Sequence, residues 1–218
     1  MATSAEAIVS RTARSRVREG YPADSLRFDW IVTVLSTLFV IGIFIDGWAH
    51  NHNKVDNSFF TPWHAMLYGG FAIVGAFLAI VMGWNFAKGY PIRRALPRGY
   101  ALSMIGVVVF AVGGVGDLIW HTLFGVEASV DALLSPTHLI LALGVLLIST
   151  GPVRAVWLKF APESTRGWVA LGPLVVCATL FLAVLMFFYT ICTSVSQYAG
   201  WRSEYEYCRA ERSVYHER

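Results

Sequence analysis

Charge is scarce in this chain: Asp, Glu, Lys and Arg make up only 14% of 218 residues. Such a shortage excludes an ordinary water-soluble domain, whose surface needs many more ionised side chains. Cysteine is scarce too, with three in all. That number rules out a disulfide framework and any all-thiolate metal cluster. Several chemistry-bearing motifs are missing as well. No Gly-rich phosphate loop, no Gly-x-Ser-x-Gly elbow and no Cys-x2-Cys-His haem-attachment motif occurs, and no histidine pair lies at mid-span to hold a bis-His haem. The net charge of +3 collects in short loops and leaves no footprint for nucleic acid.

What is present is apolar. Hydrophobic residues reach 56% and the mean hydropathy is +0.56. Five long apolar runs, at 30–45, 63–86, 100–119, 136–157 and 168–191, predict membrane-spanning helices, because a ~30 Å hydrocarbon core takes roughly 20 helical residues. The fourth run reaches that length only by starting near Pro136 and continuing past Gly151-Pro152 to about Trp157. The expected fold class is therefore an all-α membrane protein of about five spans.

Loop charges orient the spans. The polar segment 1–27 carries Arg11, Arg14, Arg16, Arg18 and Arg27, with no short apolar region and cleavage site after it, which reads as an uncleaved first span. Loop 87–99 holds Lys88, Arg93, Arg94 and Arg98 without an acid, and loop 151–167 is also basic. The alternate loops, 46–62 and 117–135, hold one cation between them, Lys54. The positive-inside rule then puts the N-terminus in the cytoplasm of a bacterial-type inner membrane. Loops 46–62 and 117–135, and the tail 192–218, face the other side. Cys192 and Cys208 fall on that side, where an oxidising compartment permits a disulfide between them.

The two poorly charged loops repeat a pattern. Asp46-Gly-Trp-Ala-His50 aligns with Asp117-Leu-Ile-Trp-His121, and Thr61-Pro-Trp-His64 with Ser135-Pro-Thr-His138. This divides the chain into a first hairpin at 28–86, a basic loop at 87–99, a second hairpin at 100–157, then 158–191 with the fifth span. Parallel repeats of this kind set binding sites at their interface. Small residues every fourth position, Gly75, Ala79 and Gly83, predict close helix contact, and Gly113-Gly114-x-Gly116 thins the end of the third span.

Asp and His four apart share one helix face. Thr61 and Ser135 read as N-caps, with Pro at the first helical position and His64 or His138 at the third. A carboxylate at a helix C-terminus beside hydrocarbon, with few cations near, should either protonate or hold a cation. A histidine in a first turn is biased toward the neutral, ligating form. Asp46, His50, His64, Asp117, His121 and His138 are thus the expected ligands of a divalent transition metal. The donors are imidazole and carboxylate, suited to copper, iron or zinc. His52, Asp56, Glu127 and Asp131 are candidates for a supporting shell. Helix capping without metal, and a proton or small-solute path, remain open as alternative readings of the same residues.

At Asp46, His50 and His64, and again at Asp117, His121 and His138, the chain resembles the C subunit of the copper membrane monooxygenases, the methane and ammonia oxidisers. Those subunits hold a metal through Asp-x3-His on one transmembrane helix and a histidine from the next. The resemblance covers these six positions and implies copper and an oxidation. No His-x3-His or His-x2-His-His occurs, so the motifs of ceramidase-like hydrolases and fatty-acid hydroxylases are absent. The expected function is a membrane metal centre, an oxidase of a lipophilic substrate being the first reading. Metal handling and a structural role in a larger complex are the rivals. The expected partners are the lipid bilayer and either further membrane subunits or a second copy of the chain.

Overall fold

A computed structural model describes residues 18–52, 54, 59–124, 134–159 and 167–216, with side chains up to 193. Among the described residues every regular element is helical. The order is α1 (Leu26–Asn51), α2 (Pro62–Ala87), a 3-10 turn (Ile92–Arg94), α3 (Ala101–Phe124), α4 (Pro136–Ser149), α5 (Gly151–Leu158) and α6 (Trp168–His216). Five helical stretches are long and apolar enough to cross a membrane, α4 and α5 together forming the fourth at Pro136–Leu158. Pro152 supplies no N–H to continue α4, so the helix resets at Thr150 before α5 carries the span onward.

Helices α1 and α2 pack as one hairpin and α3 and α4 as another, with α6 laid against α1 and the α4–α5 arm. Equivalent residues make equivalent contacts in the two hairpins. A Cβ on Gly70 would lie 2.8 Å from Phe39 Cα, and one on Gly144 would lie 2.9 Å from Phe110 Cα. Likewise a Cβ on Gly42 would stand 3.1 Å from Leu67 Cα, and one on Gly113 would stand 3.1 Å from Leu141 N. Hydrogen in place of a side chain lets the backbones touch, and dispersion between them replaces a hydrophobic drive that lipid cannot supply. Phe39 and Phe110 meet edge to face at 4.9 Å in the centre, among Val74, Leu78 and Ile148. Side chains such as Ile80, Val108, Val112 and Leu182 point outward and exposed, as lipid-facing positions should.

The tight crossings differ from those expected. Of Gly75, Ala79 and Gly83, only Gly75 is buried, and a Cβ on Gly83 would meet nothing within 4 Å. Fourfold spacing of small residues marks one helix face without saying that a partner covers it. The Cys192–Cys208 disulfide that the sequence permits is not formed. Cys192 is a free thiol, and both cysteines lie on α6, sixteen residues apart along one continuous helix. That separation is about 24 Å of rise, far beyond the reach of a disulfide.

The end of the bundle remote from the Asp/His motifs is clasped by a buried charge. Asp29, 1% exposed, accepts from Tyr100 Oη at 2.7 Å and Lys159 Nζ at 2.8 Å. Arg154 lies nearby, donating to the Gly99 carbonyl at 2.8 Å and to Ser103 Oγ at 2.9 Å. Gly99 has φ +95, and a Cβ there would be 2.6 Å from Ala155 N, so glycine is required on both counts. These bonds tie α1 to the start of α3 and the end of α5, holding both hairpins in register for the far end.

Candidate metal centre

Four helix ends meet at the opposite end. Thr61 caps α2 by accepting from His64 N at 3.1 Å, and Ser135 caps α4 by accepting from His138 N at 3.4 Å. The caps, with Pro62 and Pro136 behind them, fix each histidine in a first turn, as the sequence predicts. Asp46 with His50, and Asp117 with His121, come from the closing turns of α1 and α3. All six side chains project inward. Asp46, His50, His64, Asp117 and His121 are each less than a tenth exposed.

The carboxylates face imidazole nitrogens at one narrow range of distances. Asp46 Oδ2 is 3.8 Å from His50 Nε2, and its Oδ1 is 3.7 Å from His64 Nε2. Asp117 Oδ1 is 3.4 Å from His121 Nε2 and 3.6 Å from His138 Nε2. A good N–H···O bond spans 2.7–3.2 Å, so these are not well-made hydrogen bonds. Ligands bound at about 2.0–2.2 Å in a tetrahedron, by contrast, stand about 3.3–3.6 Å from one another. Asp46 Oδ1, His50 Nε2 and Asp117 Oδ1 are buried without a hydrogen-bond partner among the described residues. Unsatisfied buried polar atoms are costly, and here they converge on one space.

Orientation comes from a surrounding set of bonds. His64 Nδ1 lies 2.7 Å from the Phe59 carbonyl, which only accepts; Nδ1 therefore carries a proton, and in the neutral ring Nε2 is the nitrogen free to ligate. His138 Nδ1 lies 2.7 Å from Ser135 Oγ, so one hydroxyl serves as both cap and ring support. Phe59 stacks on the His64 ring at 4.9 Å. Tyr68 donates to Asp117 Oδ2 at 2.9 Å, leaving Oδ1 to face the histidines.

The two motifs form one cluster rather than two separate sites. Donor atoms of Asp46, His50 and His64 lie within 4.8 Å of one another, and so do those of His64, Asp117 and His121. His64 belongs to both sets and joins the hairpins. Among the described residues the ion-pair partners of the two aspartates are histidines, not Lys or Arg. Carboxylates held in such a place need a compensating cation or a proton.

The other sequence candidates fall elsewhere. His52 is exposed, stacks on Trp48 and donates from Nδ1 to the Trp48 carbonyl at 2.8 Å, away from the cluster. Asp56, Glu127 and Asp131 lie outside the described residues. Met66 is 49% exposed on the far face of α2, so no thioether joins the donors. Sequence reading missed Tyr68 and the Phe59 carbonyl, and noted Gly114 without its partner. A Cβ on Gly114 would lie 2.9 Å from the Tyr68 ring, so this glycine is what admits the phenol to Asp117. The signal was Tyr68 at His64+4, on the same face as the ligand.

Compared with known proteins, the chain matches no protein-family model, no curated protein and no solved structure.

Proposed function

We propose that this integral membrane protein holds a divalent transition metal between its two hairpins, at the extracytoplasmic face. Asp46, His50, His64, Asp117, His121 and His138 are the ligands. The observation that carries the reading is the set of carboxylate-to-Nε2 distances: 3.4 and 3.6 Å in the second repeat lie within the spacing of ligands about an ion, and 3.7 and 3.8 Å in the first lie just beyond it. An imidazole and carboxylate set without thiolate suits copper, iron or zinc; copper is placed first on the resemblance to the copper membrane monooxygenases. When bound, the ion would supply redox or Lewis-acid chemistry, and we assign the protein an oxidation of a lipophilic substrate. The chain's own part is to orient His64 and His138 through their Nδ1 contacts, to exclude water, and to keep two carboxylates aimed at one point.

Burial favours this over metal delivery. A delivery site must exchange its ion with a partner, whereas five of the six ligands here are less than a tenth exposed. Elemental analysis of detergent-purified protein tests both statements. Stoichiometric metal that survives dialysis against a mild chelator is expected, with loss in His50→Ala and in His121→Ala. Metal retained in both variants would remove these residues as ligands; metal lost to the chelator from the wild type would favour delivery.

A further inference from the structure

The two hairpins repeat each other closely, so the places where they differ carry information. Position His64+4 is Tyr68, and its counterpart at His138+4 is Ala142. Position Asp117−3 is Gly114, and its counterpart at Asp46−3 is Ile43. In one half, Tyr68 lies over Gly114 and its hydroxyl binds Asp117. In the other half, no phenol approaches Asp46 from Ala142. A cavity of about 50 Å³ occupies the space instead, lined by Ile43 and Ala142 among other residues. Asp46, His64, Asp117 and His138 stand at its polar end, Val184 and Phe187 of α6 close its apolar side, and Asp46 Oδ1 has no hydrogen-bond partner among the described residues.

We infer that this cavity is a binding site for a small amphipathic molecule of roughly four non-hydrogen atoms, one of them polar. Size follows from volume: a water needs about 10–15 Å³ in this measure, so the space admits roughly four atoms of that size. Polarity follows from the lining, which is hydrocarbon except at the Asp/His end. A short-chain alcohol fits, its hydroxyl toward Asp46 and its carbons among Ile43, Ala142 and Val184. With alanine rather than tyrosine at position 142, the two carboxylates are unequal. Asp117 lines the cavity with its Oδ2 held by Tyr68, whereas Asp46 has no such phenol and takes the guest's hydroxyl. This rests on the metal-centre reading in that the guest's polar atom would meet the Asp46 side of the ion; the cavity itself does not depend on it.

The test uses 2-fluoroethanol, with four non-hydrogen atoms, titrated into detergent-purified full-length protein and followed by ¹⁹F NMR. Saturable binding on the order of millimolar is expected, reasonable for so small a guest. Two substitutions from different helices fill the cavity, Ala142→Leu and Val184→Phe; each should weaken binding by about tenfold or more with metal content unchanged. Val108→Leu, on the exposed face of α3, should leave binding as it was. Absence of saturable binding to the wild type, or equal binding by both filled variants, overturns the inference. Metal content read on the same samples separates the two ideas. Stoichiometric metal without guest binding sinks the cavity and spares the metal reading, and guest binding without metal does the reverse.

Discussion

Tyr68 shows how much one side chain outside the ligand set can decide. Its hydroxyl takes Asp117 Oδ2, so the carboxylate can turn only Oδ1 toward His121 and His138. Bonds of this kind fix a ligand's direction, and their loss typically weakens metal affinity by about 10–100-fold. Tyr68→Phe keeps the ring packed on Gly114 and removes only that bond. A competition titration against a chelator of known affinity should show a loss of that order with the fold intact. Unchanged affinity would mean that Tyr68 merely fills space. This residue was legible in the sequence only in part. The position His64+4 was visible, but nothing in one chain's sequence says that a tyrosine on α2 reaches an aspartate on α3, 49 positions away. The six candidate ligands were legible because repetition made chance an inadequate explanation and because Ser/Thr-Pro pairs fix helix starts locally.

Helix contacts are a matter of which glycines face a neighbour. The repeat extends beyond the ligands: Phe39-x2-Gly42-x3-Asp46-x3-His50 matches Phe110-x2-Gly113-x3-Asp117-x3-His121, and His64-x2-Leu67-x2-Gly70 matches His138-x2-Leu141-x2-Gly144. That longer register was present in the sequence and marks the real crossings, whereas the Gly75, Ala79 and Gly83 row drew attention to a face that is mostly open. The difference can be measured. Gly144→Val sets a side chain against the Phe110 backbone, which cannot yield, and overpacking of this kind costs about 1–3 kcal/mol or more. Gly83→Ala meets nothing and gains helix propensity of up to about 1 kcal/mol. Thermal unfolding in detergent should therefore drop for the first and hold or rise for the second. Equal effects would mean that the α3–α4 crossing is not the tight one.

At the scale of the whole molecule, the polar features at the two ends of the bundle differ in kind. The Asp29 clasp is satisfied, with two donors on one carboxylate and Arg154 bonded to backbone and hydroxyl groups beside it. Among the described residues, the Asp/His end leaves buried oxygens and a nitrogen without hydrogen bonds. One end ties the hairpins together with satisfied polar bonds; the other gathers polar atoms that have room for a ligand. Span number and hairpin pairing followed from hydropathy and repetition. The clasp did not, because Asp29, Tyr100 and Lys159 lie far apart in sequence and meet only when α1, α3 and α5 are assembled. A site shared by the two hairpins was expected from their repetition, but that His64 is the residue in common was not, since register within a hairpin does not fix the angle between hairpins.

The central claim is that both hairpins donate to one metal centre through imidazole and carboxylate. X-ray absorption at the metal edge of the purified protein tests this most directly. The expected spectrum has nitrogen and oxygen neighbours at about 2.0–2.2 Å, outer scattering from several imidazoles, and no sulfur. It should change in His64→Ala, the residue common to both donor sets. A sulfur neighbour near about 2.3 Å, or a spectrum unaltered in that variant, would contradict it.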